Sequence, residues 1–329
     1  MSAIDRITDT IADHTPFRGG TIENYYAVLE VWIIAPFRAF WSHPRARVGT
    51  VITLFFIFMG TIGPRLVERP STNQGPPNVT WFETTDHILG TSSMGHDIIS
   101  LTVYGTTPIL QMIVAGVTFA TGMAIVVGTI AGYVGGLTDR ILTTFTDIAL
   151  TIPGLPLIIV LGFILEPRSH YLIGIILTIA AWGGLARMIR SEVLSLREES
   201  YVEASRAIGV RRHRILTLDV LPNIMPFVLV GAVNQARLVI FNSVVLYFLG
   251  ILPFTTANWG VMLNQAYESA AGAPIVPRTV NWIMPPIIAI VLFTFGLILL
   301  SQGLDRLFNP RLRAKHESTS SDVEVLPQS

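Results

Sequence analysis

Tyr201-Val-Glu-Ala-Ser-Arg-Ala-Ile-Gly209 lies between two long apolar stretches and is followed by Arg211, Arg212 and Arg214, then by Leu221-Pro222. Read as a helix over 198–208, it sets Tyr201, Ala204, Ser205 and Ile208 on one side at i, i+3, i+4 and i+7, with Glu199, Glu203 and Arg206 largely elsewhere. Gly209 is suited to the left-handed backbone that ends a helix without steric cost. The small side chains of Ala204 and Ser205 let a groove on another protein approach closely. The three arginines after it suit anionic headgroups or acidic partner residues. Such a segment is either a docking device or an ordinary connector whose arginines only fix topology.

Composition places that segment beside a membrane. Of 329 residues, 51% are hydrophobic and 13% charged, about half the charged share of soluble domains. Six segments are apolar enough to span: 48–64, 108–133, 141–165, 171–188, 223–250 and 282–303. A span takes about 20 residues, and backbone satisfaction in lipid requires helices. Net charge is zero, so nothing points to nucleic acid. The chain has no cysteine, which excludes disulfides, thiolate metal sites and cysteine nucleophiles. Its one lysine, Lys315, follows no glycine-rich loop. A Walker A site is therefore excluded, and any ATP is hydrolysed by another chain. Residues 1–24 lack the apolar core of a secretory signal.

Basic residues in the connections set the orientation. With a cytosolic N-terminus, 17 fall on that side and 4 (Arg65, Arg69, Arg168 and Arg278) on the other, with Arg237 inside a span. Both termini and the loop at Glu203 are thus expected in the cytosol. Four regions follow: a cytosolic N-terminal segment (1–47), whose residues 22–41 read as an interfacial helix; the first span and an external loop (48–107); the core transmembrane region (108–307); and a cytosolic tail (308–329), disordered at its Ser-rich acidic end.

The order of residues from Trp182 to Asn223 resembles one family. Trp182-Gly-Gly-Leu-Ala-Arg187, Glu203-Ala-Ser-Arg-Ala-Ile-Gly209 and Val220-Leu-Pro-Asn223 are similar to the "EAA" loop region of permease subunits in prokaryotic ABC importers of the dipeptide/oligopeptide/nickel branch. Gly95-His-Asp97, Ser100 and Tyr104-Gly105 resemble the segment before that branch's second span. Ala131-Gly-Tyr-Val-Gly-Gly136, Asp139, Asp147 and Pro153 resemble the stretch that follows it. Phe248-Leu-Gly250, Trp259-Gly260, Asp305 and Asn309-Pro-Arg-Leu-Arg313 resemble its C-terminal portion. Arg38-Ala-Phe-Trp41 to Gly49 is similar to the lead-in of the C-type subunit. The likeness covers roughly residues 38–313. It departs at His96 (usually arginine), at Ser205 (usually alanine) and around Asn242-Ser243, where a glutamate is common. The stretch 268–280 is long for the family.

This resemblance implies an all-α integral membrane protein with six transmembrane helices, the type I ABC importer (MetI-like) permease fold, and a cytosolic coupling helix. It implies a homologous permease partner, two cytosolic ATPase subunits that bind ATP and Mg, and an external substrate-binding protein, in a prokaryotic plasma membrane. Cargo would be peptides or a related small solute such as nickel or an oligosaccharide. Tyr201, Glu203, Ala204, Ser205, Arg206, Ile208, Gly209, Leu221 and Pro222 would couple the permease to the ATPase, with no catalytic residue in this chain. The alternative, an ion-coupled secondary transporter or channel, needs intramembrane acids, for which Asp147 is the candidate.

Other polar positions carry two readings each. Asn234, Arg237 and Asn242 fall within one arc of the fifth span and read as a translocation surface or as a packed arginine with an acidic neighbour. Exposing Arg237 to lipid costs at least ~2.5 kcal/mol. Asp147 is expected to pair with Arg140 or to cap loop amides. Gly128, Gly132 and Gly136, four apart, permit close helix contact. Prolines 153, 156, 226, 285 and 286 predict kinked or late-starting helices. The nearest approach to a metal pair is His87 and His96 beside Asp86 and Asp97; no metal or cofactor is expected.

Overall fold

The computed structural model describes residues 40–252, 257–270 and 277–308, and among them every regular element is a helix. The interfacial helix expected at 22–41 and the tail from 309 lie outside the described residues, apart from Phe40 and Trp41. The helices are α1 (Pro44–Thr61), α2 (Gly63–Leu66), α3 (Ile98–Val134), α4 (Gly136–Thr151), α5 (Gly154–Leu165), α6 (His170–Thr178), α7 (Trp182–Arg197), α8 (Ser200–Ala207), α9 (Arg212–Ile215), α10 (Leu221–Phe248), α11 (Trp259–Ala270) and α12 (Pro277–Phe308).

Three helical runs are each long and apolar enough to cross a membrane: Ile98–Val134, Arg212–Phe248 and Val280–Asp305. Two bent pairs pass together, α4 with α5 at 83° and α6 with α7 at 58°. Length and composition thus carry up to five of the six expected spans. The remaining one falls in α1, whose 18 residues include Arg45 and Arg47 near its start. Its exposed Val51, Leu54, Phe55 and Phe58 suit a lipid-covered surface.

The first bent pair breaks where the sequence places a proline. Ile152 takes extended backbone and Pro153 caps α5, because proline disfavours the helical conformation of the residue before it. The second break carries no proline. Its freed carbonyls are taken up by side chains: Trp182 Nε1 donates to the Ile179 carbonyl at 2.9 Å, and Gln235 Nε2, from α10, to the Ala181 carbonyl at 3.0 Å. Between α9 and α10 the residues Leu216–Val220 form a π-type turn, which keeps the run helical while widening it.

α3 organises the bundle. It begins ten residues before the span expected from position 108, because the Asp97 carboxylate caps it by accepting from the Ser100 amide at 2.8 Å. The region boundary placed at 107/108 therefore falls within one continuous helix. At 1.5 Å per residue its 37 residues reach roughly 55 Å, well beyond the hydrocarbon thickness. α6 and α7 follow α3 closely. A Cβ on Gly128 would lie 2.5 Å from the Ala186 carbonyl, and one on Gly132 2.8 Å from the Arg190 carbonyl, so the spacing of small residues works as expected. Gly136 differs: a Cβ built on it would meet nothing within 4 Å, and it starts α4 instead of packing.

Two apolar cores result. One joins Phe56, Ile109, Met112, Tyr247, Trp259, Trp282 and Phe293, with Phe56 stacked on Phe293 at 4.6 Å. The other joins Tyr133, Trp182, Ile189, Val193, Val202, Ile215 and Ile224 at the end of the bundle where α3 finishes. α11 stands where the sequence suggested only a connection. Its Trp259 is fully buried and donates from Nε1 to the Thr102 carbonyl at 3.0 Å.

Candidate functional site

α8 occupies eight residues of the expected 198–208 segment. Its end is built by Gly209, with φ +81°. The Gly209 amide donates to the Arg206 carbonyl at 3.0 Å and the Val210 amide to the Ser205 carbonyl at 3.1 Å. This pair of bonds is the Schellman pattern, which satisfies carbonyls that the helix itself leaves without donors. Nothing lies within 4 Å of a Cβ built on Gly209, so the glycine is required by backbone conformation and not by crowding.

Three contacts fasten α8 to the bundle. Val202 is 0% exposed and packs in the second core. Arg206 reaches back over the Tyr133 ring at the end of α3, its Cζ 5.0 Å from the centroid. Asn223, in the first turn of α10, donates to the Tyr201 hydroxyl at 3.3 Å and to the Asp219 carbonyl at 2.7 Å. Partial burial, and after it the charges of Glu199 and Asp219, raise the Tyr201 phenol above its ordinary value, so it remains uncharged.

The opposite face is bare. Tyr201 is 42% and Ile208 80% exposed, Ala204, Glu203 and Arg206 are exposed, and Ser205 is half-buried. Leu221 packs against the second core, while Pro222 is exposed just after the π-type turn that joins α9 to α10. The expected coupling residues thus gather at one end of the bundle, with Tyr201, Ala204 and Ile208 uncovered. Between α8 and the ends of α3 and α7 lies an open cleft of about 750 Å³, lined by Tyr133, Arg197, Glu198, Glu203, Arg206 and Arg212 among others. Val202, Tyr133 and Asn223 were not among the expected coupling residues, although Tyr133 and Asn223 lie in the stretches that resemble the family; an apolar residue opposite the bare face is the signal that finds Val202.

The acids of α4 are engaged. Asp139 receives both Nε and Nη2 of Arg190, at 2.5 and 2.6 Å. Asp147 receives Arg187 Nη2 at 2.5 Å. The expected pairing of Asp147 with Arg140 or with loop amides is corrected: its partner lies on α7, where the antiparallel course of α4 brings Arg187 alongside.

On α10, Asn234 is exposed while Arg237 and Asn242 are half-buried. Asn234 and Arg237 meet, Nη1 donating to Oδ1 at 3.2 Å; no bond ties Asn242 to them. Outside the spans, His87 Nδ1 lies 3.1 Å from Asp97 Oδ1, and His96 faces Ser92 instead. Among the described residues no group of three His, Cys, Asp or Glu side chains is placed to hold a metal.

Residues 124–314 match the family described as binding-protein-dependent transport system inner membrane component. The chain is similar to the oligopeptide transport system permease protein OppC of Bacillus subtilis (strain 168), at 30% identity over 287 residues, covering 87% of this chain and 91% of that protein. It is similar to the dipeptide transport system permease protein DppC of the same organism, at 30% over 272 residues and 82% of each chain. With OppC of Haemophilus influenzae it shares 29% over 281 residues, 84% of this chain and 88% of the relative.

Proposed function

The chain belongs to the family of binding-protein-dependent transport system inner membrane components, and from that premise we propose that it is a permease subunit through which an ATP-driven importer moves peptides. It pairs with a homologous permease, receives cargo from an external binding protein, and is driven by two cytosolic ATPase subunits that hold ATP and Mg. Both termini and α8 face the cytosol, as the arginine distribution favours.

One observation carries the reading: α8 is held to the bundle by Val202, by the Arg206–Tyr133 contact and by the bond from Asn223 to the Tyr201 hydroxyl, yet leaves Tyr201, Ala204 and Ile208 exposed. A helix so placed passes movement of a docked ATPase to α3 through Tyr133 and to α10 through Asn223. Asn234 and Arg237 supply a polar surface for the path. Asp147, the candidate intramembrane acid, is held by Arg187, which argues against ion coupling.

The test is reconstitution of the chain with its second permease, ATPase subunits and binding protein in proteoliposomes. Peptide accumulation that requires ATP and is blocked by vanadate supports the proposal. Accumulation that persists without ATP and collapses with the ion gradient contradicts it.

A further inference from the structure

Arg237 sits deep in α10, 16 residues from its start and 11 from its end, which is roughly 24 and 17 Å along the helix axis. The other sides of α10 are taken. Gly231 packs on Leu185, Gln235 donates to the Ala181 carbonyl, Val239 lies against Gly116, and Ile240 and Tyr247 enter the first core. What remains is an open strip in which Asn234, Leu238 and Phe241 are exposed, with Arg237 at its edge.

The guanidinium is held but not neutralised. Its Nη1 donates to Asn234 Oδ1 at 3.2 Å, whereas Nε is shielded and has no acceptor. Among the described residues no carboxylate lies within 4 Å of it, and α10 contains no acid. The contrast with Arg187 and Arg190 is direct, because each of those is consumed by an aspartate of α4. A neutral amide fixes the guanidinium through Nη1, and neither the shielded Nε nor Nη2 has a carboxylate partner among the described residues, which describes a receptor for an anion that comes and goes. A small side-chain shift that uncovers Nε presents the paired N–H groups that match the two oxygens of a carboxylate. Intramembrane charge without a permanent partner is costly unless function uses it.

We infer that Arg237, oriented by Asn234, binds the terminal carboxylate of the cargo as it passes α10. This rests on the reading of the chain as a peptide permease. The probes are trialanine and trialanine amide, which differ in that carboxylate, measured as ATP-dependent uptake by the complete complex in proteoliposomes. The binding protein is the same in every sample, so its own preference cancels when uptake ratios are compared between variants. Arg237→Gln lowers the trialanine-to-amide ratio by about tenfold, the loss of one charge-assisted contact, and Arg237→Lys keeps most of it. Asn234→Asp, which sets a competing carboxylate against Nη1, lowers the ratio several-fold while retaining the arginine. A ratio equal to wild type in both Arg237→Gln and Asn234→Asp overturns the inference, whatever the absolute rates, and assigns Arg237 to packing against an acid of the partner permease. A wild-type complex that accumulates neither probe, but does accumulate another solute, overturns the peptide reading itself.

Discussion

The Arg206 guanidinium lies over the Tyr133 ring, its Cζ 5.0 Å from the ring centroid, and so clips α8 to the end of the longest helix in the bundle. An exposed contact of this kind is worth about 0.5–1 kcal/mol. Removing either partner, by Arg206→Ala or Tyr133→Leu, is expected to lower ATP-dependent uptake a few-fold. The double variant is then no worse than the poorer single one. A double-mutant cycle on uptake rates checks this; fully additive losses would show that the two residues act separately.

Gly209 tests the helix end by backbone conformation alone. Left-handed backbone costs a residue with a Cβ roughly 1–2 kcal/mol, with asparagine penalised least. Gly209→Val, whose branched side chain tolerates this backbone poorly, is expected to lower uptake severely while leaving membrane insertion intact, and Gly209→Asn to keep a substantial part of it. Uptake and membrane content measured together decide the point. Equal loss in both variants would place the requirement in space that a docked partner fills, since this chain leaves the surroundings of Gly209 open.

The two ion pairs of α4 are not equivalent. Arg190 and Asp139 have side chains 30% and 20% exposed, against 58% and 50% for Arg187 and Asp147. Breaking a well-shielded pair costs several kcal/mol, roughly 3 in the better-buried cases, whereas an exposed pair contributes about 0–1 kcal/mol. Asp139→Asn should therefore lower the melting temperature of the detergent-solubilised chain clearly more than Asp147→Asn. The reverse order would contradict this ranking of the two pairs by exposure.

Burial lowers the pKa of His96 from the ordinary imidazole value of 6.5. The folded loop thus disfavours the protonated ring relative to the unfolded loop. Stability from this source is fully present above 6.5 and is lost as pH falls through the lowered value. Hydrogen exchange at residues 91–96, corrected for intrinsic rates, should show protection declining on acidification, and His96→Asn should flatten that decline. A loop equally protected across this range in both proteins would contradict it.

Much of this architecture was legible because its causes are local. Run length and hydropathy located up to five of the six expected spans, Pro153 announced a break, and Gly209 marked the end of α8. What escaped depends on residues distant in sequence. Arg187 is 40 residues from Asp147, so no local pattern preferred it over Arg140. The bend between α6 and α7 has no breaker residue and is stabilised by a glutamine on α10. α11 was missed because its 12 residues, from Trp259 to Ala270, are too short and too polar to read as a span, although its Trp259 anchors the first core. At α8 the expected arc of Tyr201, Ala204 and Ile208 is present, but sequence could not say that this face is bare while Val202 is the anchor.

The central claim is that the bare face of α8 docks a cytosolic ATPase. The chain has no cysteine, so Ile208→Cys, at a position 80% exposed, introduces a single addressable thiol. With a thiol-reactive bifunctional reagent applied to the assembled complex, the account predicts a crosslink from residue 208 to an ATPase subunit, formed with loss of ATP-driven uptake. A crosslink to the external binding protein, or labelling of residue 208 by a membrane-impermeant reagent added outside intact cells, would contradict it.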